Sequence, residues 1–524
     1  MTIEVLLNDA GGCGRFQIFL IICLFFNKFI VGWSMLQMSF AGLVPKWHCL
    51  SLNEVNTDNE TLSACSLSTN VTGGSTICEG YHFLGPFNTI ISEWSLVCDM
   101  RWVKATVTSI QMTGVLVGNL LSGQMSAFLG RKKTTYFFVL EHAVSNIIAA
   151  FSVNWQMFAV CRFFIGMGIG GVMVGVFPYS IEFSPMKWRP VLAVVPSWAL
   201  GNCAVALAAV VFNDWSHIHL ACGVIALIGL PGYFFAPESM RWLTVQGRVK
   251  EAEIVLAQIA KINQKVKPEK AATILQEVAD TEKRARESGK KYTYIDVFRG
   301  WQTAKITFIF CYHWFVLSCV YYGISFGVGR LSGNVQLNIF LLAIVDVPAG
   351  LSTIYLCNKI GRKWTCVLFM GIACLSAFSS LVTEMYGPQA TKGYIVRGLS
   401  LTAKMGIGAA WGSIQTWGAE LYPTVTRNLG FGAANTVSRI GGIVASFVIN
   451  FDDMMVISYI VIGCLSLVSV LCMLVTPETK GTDLADSILP AYKKGDNHDI
   501  AAHNEKDHMN SKSYEKTDTQ ITHM

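Results

Sequence analysis

Ionisable side chains lie near the middle of several apolar stretches of this sequence. Three are cations, Lys28, Lys404 and Arg439, and two are acids, Glu141 and Asp346. A charge surrounded by apolar residues is costly, so each of them is a candidate for a functional site. The excess of cations predicts a partly unpaired positive site and argues against a pocket built mainly for cations.

Arg439 and Asp346 could together hold a small charged molecule. The planar guanidinium of Arg439 can bind a carboxylate through two hydrogen bonds, and its charge cannot be titrated away. Asp346 is followed by Pro348, which interrupts a helix and frees backbone groups next to a cavity. The alternative is that Arg439 only neutralises Asp346 or Glu141 inside the protein.

Aromatic and amide side chains would complete such a pocket. Quaternary ammonium groups bind over ring faces, and side-chain amides either position a ligand or link helices. For any single ring, packing against lipid or another helix is the alternative. The aromatic candidates are Trp198, Trp314, Tyr321, Tyr322, Trp411 and Trp417, and the amide candidates are Gln111 and Gln415.

The elements that carry these residues are long apolar runs. Of the 524 residues, 52% are hydrophobic and only 14% are charged, whereas soluble domains have roughly 25% charged residues. An ordinary soluble protein is therefore excluded. About 20 apolar residues cross a bilayer as a helix. The sequence predicts twelve such helices, at residues 17–37, 103–126, 134–152, 157–181, 190–212, 216–236, 303–324, 334–356, 363–383, 394–417, 430–450 and 455–476.

The distribution of Lys and Arg predicts how these helices are oriented. Residues 40–100 contain one cation, Lys46, whereas residues 241–300 contain thirteen Lys and Arg. Positively charged loops stay in the cytoplasm, so we expect a multi-pass plasma-membrane protein with the first loop outside and both termini inside. The acidic start, with Glu4 and Asp9, predicts no cleavable signal. The net charge of +6 is spread over loops and does not indicate binding to nucleic acid.

The loops and the tail have chemistry of their own. The outer loop contains glycosylation acceptors at Asn59 and Asn70, and four cysteines that can form two disulfides in three pairings: Cys49, Cys65, Cys78 and Cys98. The middle loop, 244–300, has the spacing of short amphipathic helices lying under the membrane. The polar tail beyond Gly481 is predicted to be disordered. Its end, Thr522-His523-Met524, could bind a PDZ domain by strand addition.

Three landmarks recur in the same order along the chain. Gly130-Arg131-Lys132 recurs after 231 residues, Glu182 and Arg189 recur after 238, and Pro237-Glu238-Ser239 recurs after 240 as Pro477-Glu478-Thr479. This repetition predicts two related halves with a substrate site between them. The expected segments are a cytoplasmic N-terminus (1–16), a first six-helix half that includes the outer loop 40–100 (17–236), a cytoplasmic helical loop (237–302), a second six-helix half (303–476) and a cytoplasmic tail (477–524).

These motifs resemble the major facilitator superfamily and, within it, the organic cation, anion and zwitterion transporter family. Many facilitators, including sugar porters, share Arg162-Phe163 with Gly166, Pro237-Glu238-Ser239-Met240-Arg241-Trp242-Leu243 and Pro477-Glu478-Thr479-Lys480-Gly481. Narrower signals are Pro45-Lys46-Trp47-His48-Cys49, Glu93-Trp94-Ser95-Leu96-Val97-Cys98-Asp99 and Glu420-Leu421-Tyr422-Pro423-Thr424-Val425-Thr426-Arg427-Asn428. The resemblance implies an all-α membrane protein with the major facilitator fold, twelve transmembrane helices in two six-helix halves and a large extracellular first loop. A sugar porter would lack that cysteine-bearing loop.

The resemblance also implies roles for individual residues. Classical cation carriers of the family have an Asp near position 439, whereas anion and carnitine-type carriers have an Arg. Anion carriers usually have a further Lys where this chain has Gly350. A zwitterion is therefore favoured, with Asp346 facing its ammonium and Arg439 its carboxylate. Trp198 and Tyr322 become the first aromatic candidates, because the fifth and seventh helices usually border the cavity.

A carrier whose halves rock needs cytoplasmic contacts that open and close. We expect reversible ion pairs between Glu182 and Arg189 and between Glu420 and Arg427; the alternative is that these residues only cap helices and fix topology. Further gating candidates are Arg131, Arg362, Glu238 and Arg241. Most facilitators have an Asp where this chain has Ala127, and commonly another at Asn358. In those proteins the carboxylate helps to hold the cytoplasmic gate closed, a contact that we call a latch. Both latches are therefore expected to be weaker here and the carrier biased towards its inward-open state.

The resemblance implies transport by alternating access. We expect secondary-active or facilitative transport of small organic zwitterions of the carnitine or betaine type, and of some organic cations, across the plasma membrane. The alternatives are an organic anion exchanger that uses Arg439 and a non-transporting, substrate-sensing receptor of the same fold. The sequence shows no phosphate-binding loop and no metal-ligand cluster, so no enzyme activity, cofactor or metal is expected. Coupling to sodium, or to a proton on Glu420, Asp346 or Glu141, stays open.

Overall fold

The computed structural model describes residues 3–50, 65–68, 75–78, 80–189, 192, 195–287, 298, 301–421, 427–448 and 455–480. Helices dominate these ranges. Up to residue 236 they are α1 (Ile3–Asp9), α2 (Arg15–Leu36), α3 (Met38–Ala41), α4 (Ile90–Glu93), α5 (Trp102–Phe128), α6 (Arg131–Ala150), α7 (Trp155–Glu182), α8 (Ser197–Phe212), α9 (Trp215–Gly229) and α10 (Gly232–Phe235). We call α2–α10 the N-terminal half.

The helices after residue 236 form the loop that is predicted to be cytoplasmic and a second set of long elements. The loop contains α11 (Met240–Val245), α12 (Val249–Ile262) and α13 (Ala271–Glu287), as its amphipathic spacing predicted. The C-terminal half consists of α14 (Trp301–Phe326), α15 (Val335–Ile344), α16 (Asp346–Ile360), α17 (Arg362–Tyr386), α18 (Gln389–Leu421), α19 (Arg427–Val448) and α20 (Met455–Leu474).

Seven helical segments of the described chain are long and apolar enough to cross a membrane: Arg15–Ala41, Trp155–Glu182, Trp215–Phe235, Thr303–Arg330, Val335–Ile360, Arg362–Tyr386 and Val456–Leu474. The other predicted runs are helical over most of their described residues, with non-helical residues at 151–152 and 195–196, but α5, α6, α18 and α19 are more polar and α8 has only 16 residues. The polarity of α5 lies inside the protein, where Ser109, Gln111 and Ser122 are buried. Twelve crossings therefore stay a prediction.

Small residues let the helices of the N-terminal half approach closely. A methyl group on Gly114 of α5 would overlap the carbonyl oxygen of Phe163 in α7, and one on Gly166 of α7 would overlap that of Gln111. Membrane helices associate through such small-residue contacts, because lipid gives no hydrophobic drive for association. The α5–α7 pair thus holds Gln111 against Arg162, a contact described below.

The predicted outer loop contains two small antiparallel sheets. Strand β1 (Lys46–Leu50) pairs with β4 (Gly80–Leu84), and β2 (Ser66–Ser68) pairs with β3 (Ser75–Ile77). Cys65 is bonded to Cys98, which settles one of the open pairings, and Cys78 is disulfide-bonded as well. The Cys49 side chain and both glycosylation acceptors, Asn59 and Asn70, lie outside the described residues.

The outer loop, which we call the outer cap, is fastened to the start of α9 by backbone hydrogen bonds of Asn88 with Asn213 and Trp215 and by two side-chain hydrogen bonds. The Asn88 amide donates to Asp214 Oδ2 over 3.1 Å, and the Trp215 indole donates to Glu93 Oε2 over 2.6 Å. Asp214 also caps α9 by accepting a hydrogen bond from the Ser216 backbone. The cap is therefore joined to the helix that carries His219.

The N-terminal segment is folded against the cytoplasmic loop, which sequence analysis did not foresee. Helix α1 buries Ile3, Leu6 and Leu7. Asn263, which follows α12, accepts a hydrogen bond from the Phe16 backbone and donates to the Ala10 carbonyl and to Gln17, each over 3.0 Å. One side chain thus joins α1, the start of α2 and the loop. The predicted disordered tail from 481 and its Thr522-His523-Met524 end lie outside the described residues.

Candidate functional site

Asp346, the first residue of α16, forms the centre of a contact between the two halves. The Tyr321 hydroxyl donates to Asp346 Oδ2 over 2.7 Å and accepts a hydrogen bond from the Trp198 indole over 3.1 Å. Because Trp198 belongs to α8, this chain of hydrogen bonds runs from the N-terminal half to α14 and α16. The sequence analysis named all three residues as candidates, and the structure brings them together.

Lys404 shares the same tyrosine ring. Its Nζ lies 3.0 Å from the centroid of the Tyr321 ring and donates a hydrogen bond of 2.6 Å to Ser325 Oγ. Asp346 Oδ1 has no hydrogen-bond partner and lies against Gly408, where an added Cβ would be 2.7 Å from it. A cation and an acid thus flank one ring, so Asp346 is not free to serve only a substrate ammonium.

Arg439 is buried at mid-depth in α19, with 3% of its surface exposed. Its Nη2 donates to Asn435 Oδ1 over 3.2 Å, and its Nε lies 2.9 Å from the Asn119 amide oxygen in the amide orientation that satisfies both residues. Its Nη1 has no hydrogen-bond partner. Within the described chain Arg439 forms no ion pair, so the structure does not support its role as a counter-ion of Asp346 or Glu141.

Aromatic rings connect the two charged positions. The rings of Tyr321 and Tyr322 lie 5.3 Å apart, centroid to centroid, and the Tyr322 hydroxyl faces the Arg439 guanidinium. The Trp411 ring lies 6.1 Å from that of Tyr321 and 5.5 Å from that of Trp314. Five of the six predicted aromatic residues, Trp198, Trp314, Tyr321, Tyr322 and Trp411, therefore form one connected set, which we call the aromatic cluster.

Other predicted site residues lie apart from the aromatic cluster in the described contacts. The Lys28 ammonium is 5.3 Å from the centroid of the Phe25 ring, and Glu141 accepts a hydrogen bond from Ser145 over 3.3 Å. Trp417 is buried, whereas Gln415 is exposed. Gln111 contacts Arg162.

On the face that is predicted to be cytoplasmic, Glu182 is paired with Arg131. The Arg131 Nε and Nη2 donate to the Glu182 carboxylate over 3.0–3.2 Å. Glu238 caps the start of α6 by accepting hydrogen bonds from the backbone of Arg131 at 2.7 Å and of Lys132 at 3.2 Å. Gly130 permits this turn because its φ is +95° and a side chain there would meet the Glu238 carboxylate.

The C-terminal half repeats this arrangement. Arg362 donates to Glu420 over 2.8–3.0 Å, and Glu478 accepts hydrogen bonds from the backbone of Arg362 and Lys363. Gly361 has a φ of +104°. The sequence repeat is therefore a repeated ion pair and helix cap, and the ion pair of each copy lies within one half.

The predicted pairing of Glu182 with Arg189 is wrong for this conformation. Arg189 pairs instead with Glu4 of the N-terminal helix, over 2.5 Å. Glu420 pairs with Arg362, and the Arg427 side chain lies outside the described residues. Arg241 is half-buried in α11, and no described contact joins it to either latch. The error arose because spacing in the chain favoured neighbours, whereas the partners come from different helices.

A buried polar cluster in the N-terminal half was not predicted as a site. Arg162, known from the sequence only as part of a motif, is fully buried and contacts Gln37, Gln111 and His219. Its partners come from separate parts of the chain, so only an ionisable residue within an apolar run could have pointed to it.

Comparison with known proteins agrees with this architecture. An inward-open structure of the xylose transporter from E. coli superimposes with a TM-score of 0.64 at 16% identity, over 89% of this chain and 98% of that one. Residues 20–487 match the model of the sugar (and other) transporter family. The fold and the family define a multi-pass membrane transporter of the major facilitator superfamily and not an enzyme.

Relatives place the chain more narrowly. It is 32% identical to mouse solute carrier family 22 member 21 over 412 residues, which are 76% of this chain and 71% of that protein. Human organic cation/carnitine transporter 2 is 31% identical over the same shares, and rat solute carrier family 22 member 7 is 27% identical over 94% of this chain and 99% of that protein. This chain belongs to solute carrier family 22.

Proposed function

We propose that this protein carries small organic ions with a carboxylate group across the plasma membrane by alternating access, a carnitine- or betaine-like zwitterion being the first candidate. The observation that carries the proposal is Arg439: a buried guanidinium that has no hydrogen-bond partner for Nη1 and no ion pair among the described residues. A buried cation of this kind calls for an anionic ligand.

The charge balance of the aromatic cluster favours the same class of substrate. Lys404 and Asp346 lie on either side of Tyr321 and offset one another, so Arg439 leaves the centre with a net positive charge. Coulombic interactions are strong where water is excluded. A substrate carboxylate would neutralise the centre, whereas a simple cation would add to its charge.

The rings supply the second half of the binding site. A guanidinium holds a carboxylate through two parallel hydrogen bonds, and a quaternary ammonium binds over aromatic faces. Arg439 faces Tyr322, and Trp411 and Trp314 continue the ring contacts beyond Tyr321. A short zwitterion would place its carboxylate at Arg439 and its ammonium over these rings. The sequence hypothesis that Asp346 receives the ammonium stays a prediction beside this arrangement, which we prefer because Lys404, over the Tyr321 ring, offsets the charge of Asp346.

The names of relatives support organic ions as substrates. Two of the relatives are an organic cation/carnitine transporter and an organic cation transporter protein of Drosophila melanogaster. Carnitine carries both a carboxylate and a quaternary ammonium, which is the charge pattern argued for above. Organic anion exchange is the second candidate, and the position of Lys404 beside Asp346 favours it, since this arrangement removes the negative charge that would repel an anion.

The contacts between the halves support movement by rocking. Hydrogen bonds between described residues of the two halves lie on the outer side or at mid-depth, as from Ser39 to the Ser325 carbonyl and from Ser109 to the Ile443 carbonyl. The cytoplasmic ion pairs of Arg131 and Arg362 each stay within one half. Opening the outer side would therefore break the first set and leave the latches intact.

Uptake into cells that express the protein tests the proposal. A labelled betaine-type zwitterion, a quaternary cation and an aromatic carboxylate are compared at equal surface expression, with and without sodium. We expect saturable uptake of the zwitterion. Uptake of the carboxylate alone would replace the first candidate by the second, and uptake of the cation alone would reject both. No uptake of any of the three would favour the sensing receptor.

A further inference from the structure

The N-terminal half contains a second buried guanidinium without a countercharge. Arg162 of α7 has no solvent exposure, and its described hydrogen-bond partners are neutral. Nη1 donates to Gln37 Oε1 and to His219 Nε2, each over 3.2 Å, and Nη2 donates to Gln111 Oε1. A buried charge without a partner of opposite sign costs several kcal/mol, roughly 3–5 when it results from loss of an ion-pair partner.

His219 cannot provide the missing negative charge. Its Nδ1 lies 2.8 Å from the Trp215 carbonyl oxygen, so Nδ1 carries the proton and donates. Its Nε2 is then the acceptor for Arg162. The imidazole is neutral in this arrangement, and a second positive charge beside the guanidinium would be unfavourable. The contacts with Gln37, His219 and Gln111 therefore satisfy hydrogen-bond donors of Arg162, but none of them supplies a negative charge.

Two N–H donors in this cluster have no hydrogen-bond acceptor among the described residues. They are Arg162 Nε and Gln37 Nε2, both fully buried. The buried Cys222 thiol lies close to Gln37 and Arg162. Gln37 is held in place through its other amide atom, because Oε1 accepts hydrogen bonds from Arg162 and from Ser34 Oγ at 3.3 Å. Buried donors are almost always satisfied. Unpaired donors and an uncompensated cation call for one ligand, namely an anion.

We propose that Arg162 and Gln37 form a binding site for a small monovalent anion, with chloride as the physiological occupant. The site is separate from Arg439, which contacts Asn435, Asn119 and Tyr322 in another part of the molecule. Gln37 follows α2 and Arg162 lies in α7, so the bound anion ties these two helices together. His219 and Trp215 connect the site to Glu93 of the outer cap.

Thermal unfolding of the purified full-length protein tests this site without any transport assay. Sodium chloride is compared with sodium gluconate at equal ionic strength, and chloride is then titrated. A ligand that binds the folded state raises the unfolding temperature with its concentration. We expect a higher unfolding temperature in chloride, and bromide should act similarly because it has the same charge and a similar size. Equal unfolding temperatures in chloride and gluconate would overturn the proposal.

Gln37→Glu provides the decisive variant. It places a carboxylate where Gln37 Oε1 now accepts from Arg162, so the countercharge becomes internal. The variant should be as stable in gluconate as the natural protein is in chloride and should show no chloride shift. Gln111→Glu follows the same logic from α5 and replaces Gln37→Glu if that protein does not fold.

Arg439→Gln is the matched control and should retain the full shift. Loss of the shift in Arg439→Gln, or its persistence in a folded Glu variant, would overturn the assignment.

Discussion

The Tyr321 hydroxyl donates a hydrogen bond of 2.7 Å to Asp346 Oδ2, and this bond joins the acid of the C-terminal half to the residue that contacts the N-terminal half. The same hydroxyl accepts from Trp198, and the ring beneath it faces Lys404. Tyr321 thus contacts an acid, a cation and the opposite half at once. Its loss should disturb both the charge balance and the contact between the halves.

Tyr321→Phe isolates the hydroxyl, because the ring under Lys404 remains. The variant leaves both carboxylate oxygens of Asp346 without a described hydrogen-bond partner and removes the link from Trp198 to the C-terminal half, while the Trp198 indole keeps Asn202 as an acceptor in the amide orientation that satisfies Asn202. An unsatisfied buried polar group costs about 1–3 kcal/mol, and because this cost falls on the conformation in which Tyr321 joins the halves, we expect the transport cycle to be disturbed and uptake to decrease. Uptake at matched surface expression measures it. Tyr355→Phe, at an exposed position of α16, is the control, and equal uptake by both variants would contradict the role assigned to Tyr321.

Arg439→Ala should abolish uptake of carboxylate-bearing substrates and spare simple quaternary cations, because it removes the unpartnered guanidinium N–H groups. Arg439→Lys should retain part of the activity, since an ammonium keeps the charge but loses the planar fork. Arg397→Ala, which removes a guanidinium beside the exposed ring of Tyr394, is the control. Equal loss of zwitterion and cation uptake in Arg439→Ala would show that Arg439 is structural.

The fold could be predicted from sequence because spanning a membrane requires a pattern that is easily recognised in a sequence. Helices need long apolar runs, and each predicted run is helical over most of its described residues, although the run 334–356 is broken at Val345 and the long helix of the run 190–212 begins only at Ser197. Charges inside those runs are rare and costly, which identified Arg439, Asp346 and Lys404 before their surroundings were known. The repeat of Gly130-Arg131 as Gly361-Arg362 similarly identified two equivalent turns, and both are latched in the same way.

The partners of these residues could not be predicted, because they are set by packing between helices. Glu182 was assigned to Arg189, seven residues on, yet its partner Arg131 lies 51 residues away in the chain. Lys404 meets Ser325 across a separation of 79 residues. The cluster around Arg162 draws on Gln37, Gln111 and His219. Single-sequence spacing carries no information on such contacts, whereas covarying positions in related sequences would.

The latch of Arg131 and Glu182 should behave as a partly buried ion pair within one half. In a double-mutant cycle of Arg131→Ala and Glu182→Ala, we expect a coupling free energy of about 1–3 kcal/mol in thermal unfolding. Charge reversal in both residues should recover part of the stability. The exposed pair of Arg248 and Glu251 is the control and should couple by under about 1 kcal/mol. Equal coupling in the two cycles would show that burial adds nothing to the latch.

Asn263→Ala should release the N-terminal segment from the cytoplasmic loop. Asn263 makes three hydrogen bonds, to the Phe16 backbone, the Ala10 carbonyl and Gln17, and replacing it leaves two backbone groups without these partners. A loss of about 1–3 kcal/mol in stability is expected, together with faster proteolysis ahead of α2. Thermal unfolding and limited proteolysis measure the two effects. Lys265→Ala, an exposed change two residues away, should leave both unchanged, and a similar result for Asn263→Ala would refute the connection.

Ala127→Asp should shift the carrier towards outward-facing states. The Ala127 carbonyl already accepts hydrogen bonds from the Trp242 indole at 2.9 Å and from Gln246 at 3.2 Å, and Arg131 donates to the neighbouring Ser126 carbonyl. The end of α5 is therefore held to α11 but adds no acidic side chain to the latch. Because Arg131 and Glu182 both lie in the N-terminal half, only a new pair across the halves favours one state. We expect a carboxylate at position 127 to pair with a cation of the C-terminal half when the cytoplasmic side closes, which is worth roughly 0.3–1 kcal/mol for one exposed ion pair. That changes the ratio of the two states by about two- to fivefold.

Cysteines introduced on each side of the central site would report the shift as faster labelling from outside and slower labelling from inside. Ala127→Asn, with the same shape and no charge, should leave the labelling rates at both sides unchanged, and the same rates in Ala127→Asp would show that the missing acid does not set the balance.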